Sequence, residues 1–347
     1  MQLVERTYVP SPVDGTSTWR LLGGREDNNH ISGFEERGFE IVIGDTSYEV
    51  VVMSDDPNLL DGTVAYHELN NSFLTTPTEK SPNSLRVVYA TKGDIVTESG
   101  EVISMGDNPY TAAITEDGGQ VFASGKSSVG TLKSICFGAA TSLACRGTEN
   151  VPLHASIGTY DGERAFAVSG RGNWGKTTNM IGAKIVSPEI TVITDDWSML
   201  NTREGTFIPI DMLVAVRPEA IPGILSATRR AQAPDFLKLA QKDAGRLFSV
   251  FDIFGESKYS PHIRLDKVLL TDKREIHQKS FGVYETVGLD EPWRLQDDAY
   301  HSPDLEGLYE ERYARMLPNL KTGAISTILP DNLRAIQLAT IVRFFKA

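Results

Sequence analysis

Eight consecutive residues near the middle of the chain match a phosphate-binding loop. The segment Gly170-Arg171-Gly172-Asn173-Trp174-Gly175-Lys176-Thr177 fits the pattern G-x-x-x-x-G-K-[ST] at every fixed position. Its three glycines let the backbone curl so that N–H groups face a polyphosphate, and a following helix N-terminus adds partial positive charge. The pattern therefore predicts that Lys176 binds the terminal phosphates of a nucleotide and that the Thr177 hydroxyl binds Mg²⁺.

The residues around the motif support this interpretation. The apolar run from Ala165 to Val168 is typical of a short buried strand, and the segment from Lys176 to Lys184 has no proline and predicts a helix. A phosphate-binding loop needs this strand-loop-helix order. The alternative is a glycine-rich turn that carries Lys-Thr by chance, and the flanking strand and helix disfavour it.

A pair of acidic residues follows shortly after the motif. Asp195 and Asp196 come directly after the apolar strand from Ile190 to Thr194, nineteen positions beyond Lys176. Adjacent carboxylates are costly unless a cation lies beside them, although alone the pair is also typical of a turn. In a right-handed strand-helix-strand unit the second strand can lie beside the first, with both carboxyl ends on one edge. We therefore expect the pair to face the loop, where one carboxylate holds Mg²⁺ and the other accepts a proton.

The short distance between loop and acidic pair resembles one superfamily in particular. The order of phosphate loop, one helix and an Asp-Asp strand is similar to that of HPr kinase/phosphorylase and phosphoenolpyruvate carboxykinase. The upstream segment Pro152-Leu153-His154-Ala155-Ser156-Ile157-Gly158-Thr159-Tyr160-Asp161-Gly162-Glu163 resembles the His-Ala-Ser strand and Asp-Gly turn of HPr-kinase-like proteins. The likeness covers residues 151 to 200. It implies an α/β P-loop domain with a mixed sheet.

The resemblance also implies a role for individual residues. Asp195 is expected to be the catalytic base, Asp196 with Thr177 to hold Mg²⁺, and His154 to lie near the phosphates as a catalytic residue, although a core or turn histidine is an open alternative. Trp197 is expected either to shield the transferring phosphate or to be a core aromatic residue. The residues expected to bind the nucleotide are Gly170, Arg171, Gly172, Asn173, Trp174, Gly175, Lys176, Thr177 and Thr178. Arg171 and Trp174 stand where the family usually has small residues, which predicts an extra cation and an indole in the nucleotide pocket.

These residues together predict a kinase with ATP and Mg²⁺. The expected reaction moves the γ-phosphoryl group to a hydroxyl of a small molecule or to a serine of a peptide or protein, because such transfer needs mainly positioning and electrostatics. Candidate cations to neutralise the developing charge are Arg203, Arg229, Arg230 and Arg264. A carboxykinase is a weaker alternative, because it needs a second metal site and His154, His262 and His277 stand in no motif for one. The sequence is also compatible with a nucleotide-binding regulator that has slow or no phosphotransfer, and with a structural protein that has kept only the loop.

Length and local pattern predict two domains. At 347 residues the chain is longer than one core usually supports. Residues 1–125 contain mainly short β-rich runs, including a hairpin from Phe39 to Met53, and predict a β-rich N-terminal domain. Residues 126–347 predict the kinase-like α/β domain. Within it, the segment from Gly223 to Phe251 predicts a helix broken at Pro234, and Asp331 to Phe345 predicts a C-terminal helix.

Composition excludes several classes of protein. A net charge of −12 argues against a nucleic-acid binder, which usually presents a basic surface. No apolar run approaches eighteen residues and the first residues lack a secretion signal, so we expect no membrane association. Cys136 and Cys145 are the only cysteines, which disfavours a disulfide framework and, with ATP use, indicates the cytoplasm. The oligomeric state stays open.

Overall fold

The structure is a computed structural model, in which the chain forms two compact units. The described residues are 20–21, 34–92, 95–96, 102–103, 110–114, 119–170, 175–228, 234–242, 247–254, 263–272, 284–285, 311–312, 315, 320–326 and 331–347. The first unit comprises Met1–Thr148 and Asp298–Tyr309, and the second comprises Glu149–Asp297 and Glu310–Ala347. The division after Thr148 differs from the predicted boundary after residue 125, because a helix in between packs on the sheet of the first unit.

The first unit contains a six-stranded mixed sheet and two helices. Its elements are β1 (Arg20–Leu21), β2 (Glu35–Ile43), β3 (Thr46–Ser54), α1 (Pro57–Asn71), β4 (Glu79–Lys80), β5 (Leu85–Ala90), β6 (Ile95–Val96), β7 (Val102–Ile103), β8 (Tyr110–Ile114), β9 (Gln120–Gly125) and α2 (Val129–Cys145). The main sheet has the order β2-β3-β5-β9-β8, with β4 beside β3, and β1, β6 and β7 form a small separate sheet. The predicted hairpin is present as β2 and β3.

Helix α1 was not expected in a region predicted to be mainly β. It begins after Asp56, whose carboxylate accepts hydrogen bonds from the N–H groups of Asn58 and Leu59, and Pro57 occupies its first turn. Helices α1 and α2 pack against each other, and the rings of Tyr66 and Phe137 meet edge to face. The helix is therefore stabilised by a local cap and by contacts with residues far along the chain.

The second unit is a larger α/β assembly. Its strands are β10 (Asn150–Thr159), β11 (Arg164–Ser169), β12 (Thr191–Thr194), β13 (Trp197–Asn201), β14 (Thr206–Pro209), β15 (Leu213–Ala215), β16 (Leu247–Ser249), β17 (Arg264–Asp272), β18 (Tyr284–Glu285) and β19 (Lys321–Ser326). Its helices are α3 (Lys176–Val186), α4 (Ile221–Thr228), α5 (Asp235–Lys242), α6 (Val250–Phe254) and α7 (Asp331–Lys346), with a 3-10 turn at Pro218–Ala220. Helix α7 packs on α3 and α4.

The strands of the second unit form one eight-stranded mixed sheet and one short pair. The main sheet has the order β11-β10-β13-β14-β17-β19-β18, with β12 also paired to β10. Strand β17 also pairs in parallel with β11, so the series of paired strands β11-β10-β13-β14-β17 closes on β11. The short pair is β15 with β16, where a helix was predicted across Leu247–Ser249; the buried pair Val214 and Phe248 fixes strand pairing there instead.

The position of β12 differs from the expected one. Strand β12 does not lie beside β11, because β10 runs antiparallel between them. Two strands that are both antiparallel to β10 run in the same direction, so β11 and β12 still end toward the same side.

Among the described residues, no helix combines the length and the apolar character that crossing a membrane requires.

Candidate functional site

A strand and a helix flank the glycine-rich motif. Strand β11 ends at Ser169, Gly170 follows, and α3 begins at Lys176 directly after Gly175. Gly170 has φ +152° and Gly175 has φ +85°, which are backbone conformations that favour glycine. The residues between these two glycines, 171–174, lie outside the described residues, so the predictions for Arg171, Gly172, Asn173 and Trp174 stay predictions.

The start of α3 has the chemistry of an anion site. Gly175 at the N-cap has no side chain with which to cap the first N–H groups of the helix. Lys176 is buried, with 5% of its surface exposed, and Thr177 and Thr178 are half-buried in the same turn. A buried lysine cation at the N-terminus of a helix favours a negatively charged ligand.

The acidic pair lies at a kink between two strands that share one partner. Residues 191–194 of β12 and 197–201 of β13 both pair with β10, and Asp195 and Asp196 fill the interval between them. Asp196 has φ +70°, and its carbonyl accepts a hydrogen bond from the Ala155 N–H at 3.1 Å. Asp211 clamps the same kink, because its carbonyl accepts the Asp195 N–H at 3.1 Å and the Thr194 hydroxyl at 2.7 Å.

The carboxylate of Asp195 bridges the kink and the glycine-rich motif. Its Oδ2 accepts a hydrogen bond from Thr177 Oγ1 at 2.8 Å, and its Oδ1 accepts one from the Ser156 hydroxyl. Burial raises the pKa of Asp195 to about 6, and the charge of Asp196 acts in the same direction. The two hydroxyl donors and the Lys176 ammonium group oppose this rise. Asp195 is therefore a buried carboxylate held by donors from two different elements.

The carboxylate of Asp196 turns toward a histidine instead. His154 Nε2 lies 2.6 Å from Asp196 Oδ1, and His154 is only 4% exposed, whereas the Asp196 side chain is 37% exposed. The His154 ring stacks on Trp197 with their centroids 6.0 Å apart. A buried histidine thus restrains one oxygen of a carboxylate that is partly exposed.

Strand β10 supplies one side-chain contact to each carboxylate. His154 and Ser156 are two positions apart, so their side chains lie on the same face of the strand. The structure thus brings together five of the residues predicted for the site, and these are His154, Lys176, Thr177, Asp195 and Asp196. Sequence reasoning missed Ser156, although it belongs to the His-Ala-Ser segment. Its spacing from His154 is the signal that it would share the site.

Of the predicted auxiliary cations, Arg264 lies away from this site. Arg264 begins β17, seven residues before Thr271, which lies beside Gly170, so the strand rise separates the two by about 23 Å. Arg203 is exposed in the turn after β13. Arg229, Arg230, His262 and His277 lie outside the described residues. Lys176 is thus the cation that the described part of the chain brings to the acidic pair.

Comparison with known proteins adds no family assignment. No protein-family model matches the chain, and no curated protein is significantly similar to it in sequence. Within the described part of the chain, no three His, Cys, Asp or Glu side chains are grouped so that they hold a metal ion by themselves.

Proposed function

We propose that this protein is a kinase that transfers the γ-phosphoryl group of Mg²⁺-bound ATP to a hydroxyl group. The observation that carries the proposal is the 2.8 Å hydrogen bond between Thr177 and Asp195. It joins the hydroxyl that binds Mg²⁺ in phosphate loops to the acidic pair that follows on the next strand. A glycine-rich turn without chemistry gives no reason for a buried carboxylate at this position.

The nucleotide phosphates are assigned to the start of α3. Gly170 and Gly175 both have positive φ values, and the positive end of the helix dipole after Gly175 favours phosphate oxygens. Lys176 is the cation for the terminal phosphates. Because it is buried, its charge is weakly screened and acts strongly on a phosphate close to it.

The metal is assigned to Thr177 and Asp195. Mg²⁺ commonly takes one or two carboxylates and completes its shell with phosphate oxygens and water, which fits a site without three grouped ligands among the described residues. When bound, Mg²⁺ neutralises charge that develops on the phosphates. This assignment exchanges the roles expected from the resemblance, in which Asp196 was the metal ligand and Asp195 the base. The exchange rests on the contact between Asp195 and Thr177.

Asp196 is then the residue that accepts the proton from the acceptor hydroxyl. Its carboxylate is partly exposed, so a substrate hydroxyl can approach it, whereas Asp195 is 5% exposed and both its oxygens receive hydrogen bonds. His154 holds Asp196 Oδ1 at 2.6 Å and so fixes the direction of the other oxygen. The acceptor belongs to the class of small alcohols or peptide serines.

The proposal is tested by a search for the phosphorylated acceptor. The protein is incubated with Mg²⁺, ATP labelled with ¹⁸O at the γ-phosphate, and a cell extract passed through or retained by a size filter. Mass spectrometry is expected to find a metabolite or a peptide that gains one labelled phosphate with the native protein and not with Lys176→Ala. Tight ATP binding without any labelled product would contradict the kinase proposal and favour a nucleotide-binding regulator.

A further inference from the structure

Thr271 lies at the point where the glycine-rich loop leaves the sheet. It is on β17, which runs parallel to β11 with Ser169 opposite Leu270, so Thr271 is beside the next residue, Gly170. Thr271 is 3% exposed, and its Oγ1 donates a hydrogen bond to the Ser169 carbonyl at 3.1 Å. The last peptide group before the loop is therefore held by a side chain from the neighbouring strand.

The same hydroxyl occupies the space where a side chain at position 170 would lie. A Cβ atom added to Gly170 would come 2.0 Å from Thr271 Oγ1 and 3.1 Å from the Thr271 carbonyl oxygen. Van der Waals contact needs more than 3 Å, so a residue larger than glycine would displace either the loop or β17. Position 170 is thus fixed by its φ of +152° and by close contact with Thr271.

The other flank of Ser169 is anchored to β10. The Ser169 hydroxyl donates a hydrogen bond to the His154 carbonyl at 2.9 Å, and His154 also contacts Asp196. Ser169 therefore connects two sets of contacts, one to the acidic pair through β10 and one to β17 through Thr271. On the β17 side, the Thr271 hydroxyl is the polar side-chain group that restrains the carbonyl of Ser169.

We propose that Thr271 is a positioning residue for nucleotide binding, which sets the direction in which the loop leaves β11. The inference rests on the proposed function, because it takes the loop as the site of the ATP phosphates. A peptide group between Ser169 and Gly170 that is already held in place before the ligand binds lowers the entropic cost of binding. The hydroxyl, rather than the volume of the side chain, carries this role.

The test compares two variants that distinguish the effect of the Thr271 hydroxyl from the effect of the side-chain volume. Thr271→Val keeps the shape and removes the donor, and Thr271→Ser keeps the donor. ATP affinity is measured by calorimetry with Mg²⁺, and the midpoint of thermal unfolding is measured without nucleotide. Thr271→Val is expected to weaken ATP binding by about 3- to 10-fold, the effect of one lost hydrogen bond. Thr271→Ser is expected to bind within about 2-fold of the native protein.

A second pair of variants tests the close contact. Gly170→Ala is expected to weaken ATP binding by more than about 10-fold, because the close contact and the positive φ both oppose the added methyl group. The double variant Gly170→Ala/Thr271→Gly is expected to recover part of this loss. Gly38→Ala is the matched control, since its added Cβ would meet the Val50 carbonyl at an ordinary 4.0 Å. It is expected to leave ATP binding unchanged.

The outcomes separate this inference from the proposed function. A native protein that binds no ATP would overturn both. If the native protein binds ATP, then native affinity in Thr271→Val, or an equal loss in Thr271→Ser and Thr271→Val, would overturn only the role of Thr271. Native affinity in Gly170→Ala would do the same. These binding measurements need no knowledge of the phosphoryl acceptor.

Discussion

Replacing Asp195 with asparagine is expected to stabilise the metal-free protein while it impairs the proposed phosphoryl transfer. Asp195 is buried beside a second carboxylate, and burial raises its pKa to about 6 from the ordinary 3.8. A carboxyl group with a raised folded-state pKa binds its proton more tightly in the folded protein than in the unfolded chain. Its ionisation therefore costs stability as pH rises from 3.8 through about 6.

The size of this effect follows from the two pKa values of Asp195. The difference between 3.8 and about 6 corresponds to about 3 kcal/mol of folding stability, which is present below pH 4 and absent at pH 8. Asparagine cannot ionise and keeps one oxygen acceptor for the hydroxyl donors Ser156 and Thr177. The stability gain of Asp195→Asn should thus be close to zero at pH 4 and reach about 3 kcal/mol at pH 8.

Urea unfolding with a metal chelator measures this gain at pH 4, 6 and 8. The fluorescence of Trp197, which is buried in the second unit, follows the transition. The control is Asp235→Asn, which removes an exposed carboxylate paired with Lys238 and should leave stability nearly unchanged at every pH, because water screens such a pair. A gain that does not depend on pH, or a loss of stability at pH 8, would refute the assignment of Asp195 as a desolvated carboxylate.

Three further predictions concern other parts of the molecule. Lys176→Met keeps the buried volume and removes the cation, so ATP affinity should fall by about 10- to 100-fold in calorimetry with little loss of stability; unchanged affinity would exclude Lys176 from the phosphate site. Ser156→Ala removes one donor to Asp195 and should lower the free energy of unfolding at pH 8 by about 2 kcal/mol in urea, with a smaller effect at pH 4. Burial lowers the pKa of His67 in the first unit to about 3, so protonation of His67 should lower the stability of that unit by about 3 kcal/mol between pH 6.5 and 4, and His67→Phe should remove this acid sensitivity in urea unfolding followed by circular dichroism.

The contiguous parts of the site could be predicted from sequence. Strand β11, Gly170, Gly175 and the start of α3 lie within a short segment whose residue types favour its conformation: apolar residues for the strand, glycines for the positive φ values, and no proline after Lys176. The proximity of the acidic pair to the start of α3 could be predicted from the direction of the strands alone. It holds even though β10 separates the two strands, because β11 and β12 run in the same direction.

The remaining contacts depend on pairing between distant segments, which local pattern does not determine. Thr271 meets Ser169 across 102 positions of sequence, and the insertion of β10 between β11 and β12 follows from sheet topology. Helix α1 is another example, since Gly62 and several β-favouring residues weaken its intrinsic propensity and packing against α2 compensates. The kink at Asp196 also depends on a distant segment, because an aspartate with φ +70° is stabilised by its contacts with β10.

The most direct test of the central claim is the affinity of the protein for Mn²⁺, a paramagnetic substitute for Mg²⁺, with and without ATP. Electron paramagnetic resonance measures the free Mn²⁺ as protein is added. We predict that ATP tightens Mn²⁺ binding to the native protein, and that Asp195→Asn weakens the binding in the presence of ATP by at least about 10-fold while Asp235→Asn does not. Equal Mn²⁺ affinity in Asp195→Asn and the native protein, or no effect of ATP on the native protein, would contradict a site in which the acidic pair and the glycine-rich loop hold one metal-bound nucleotide.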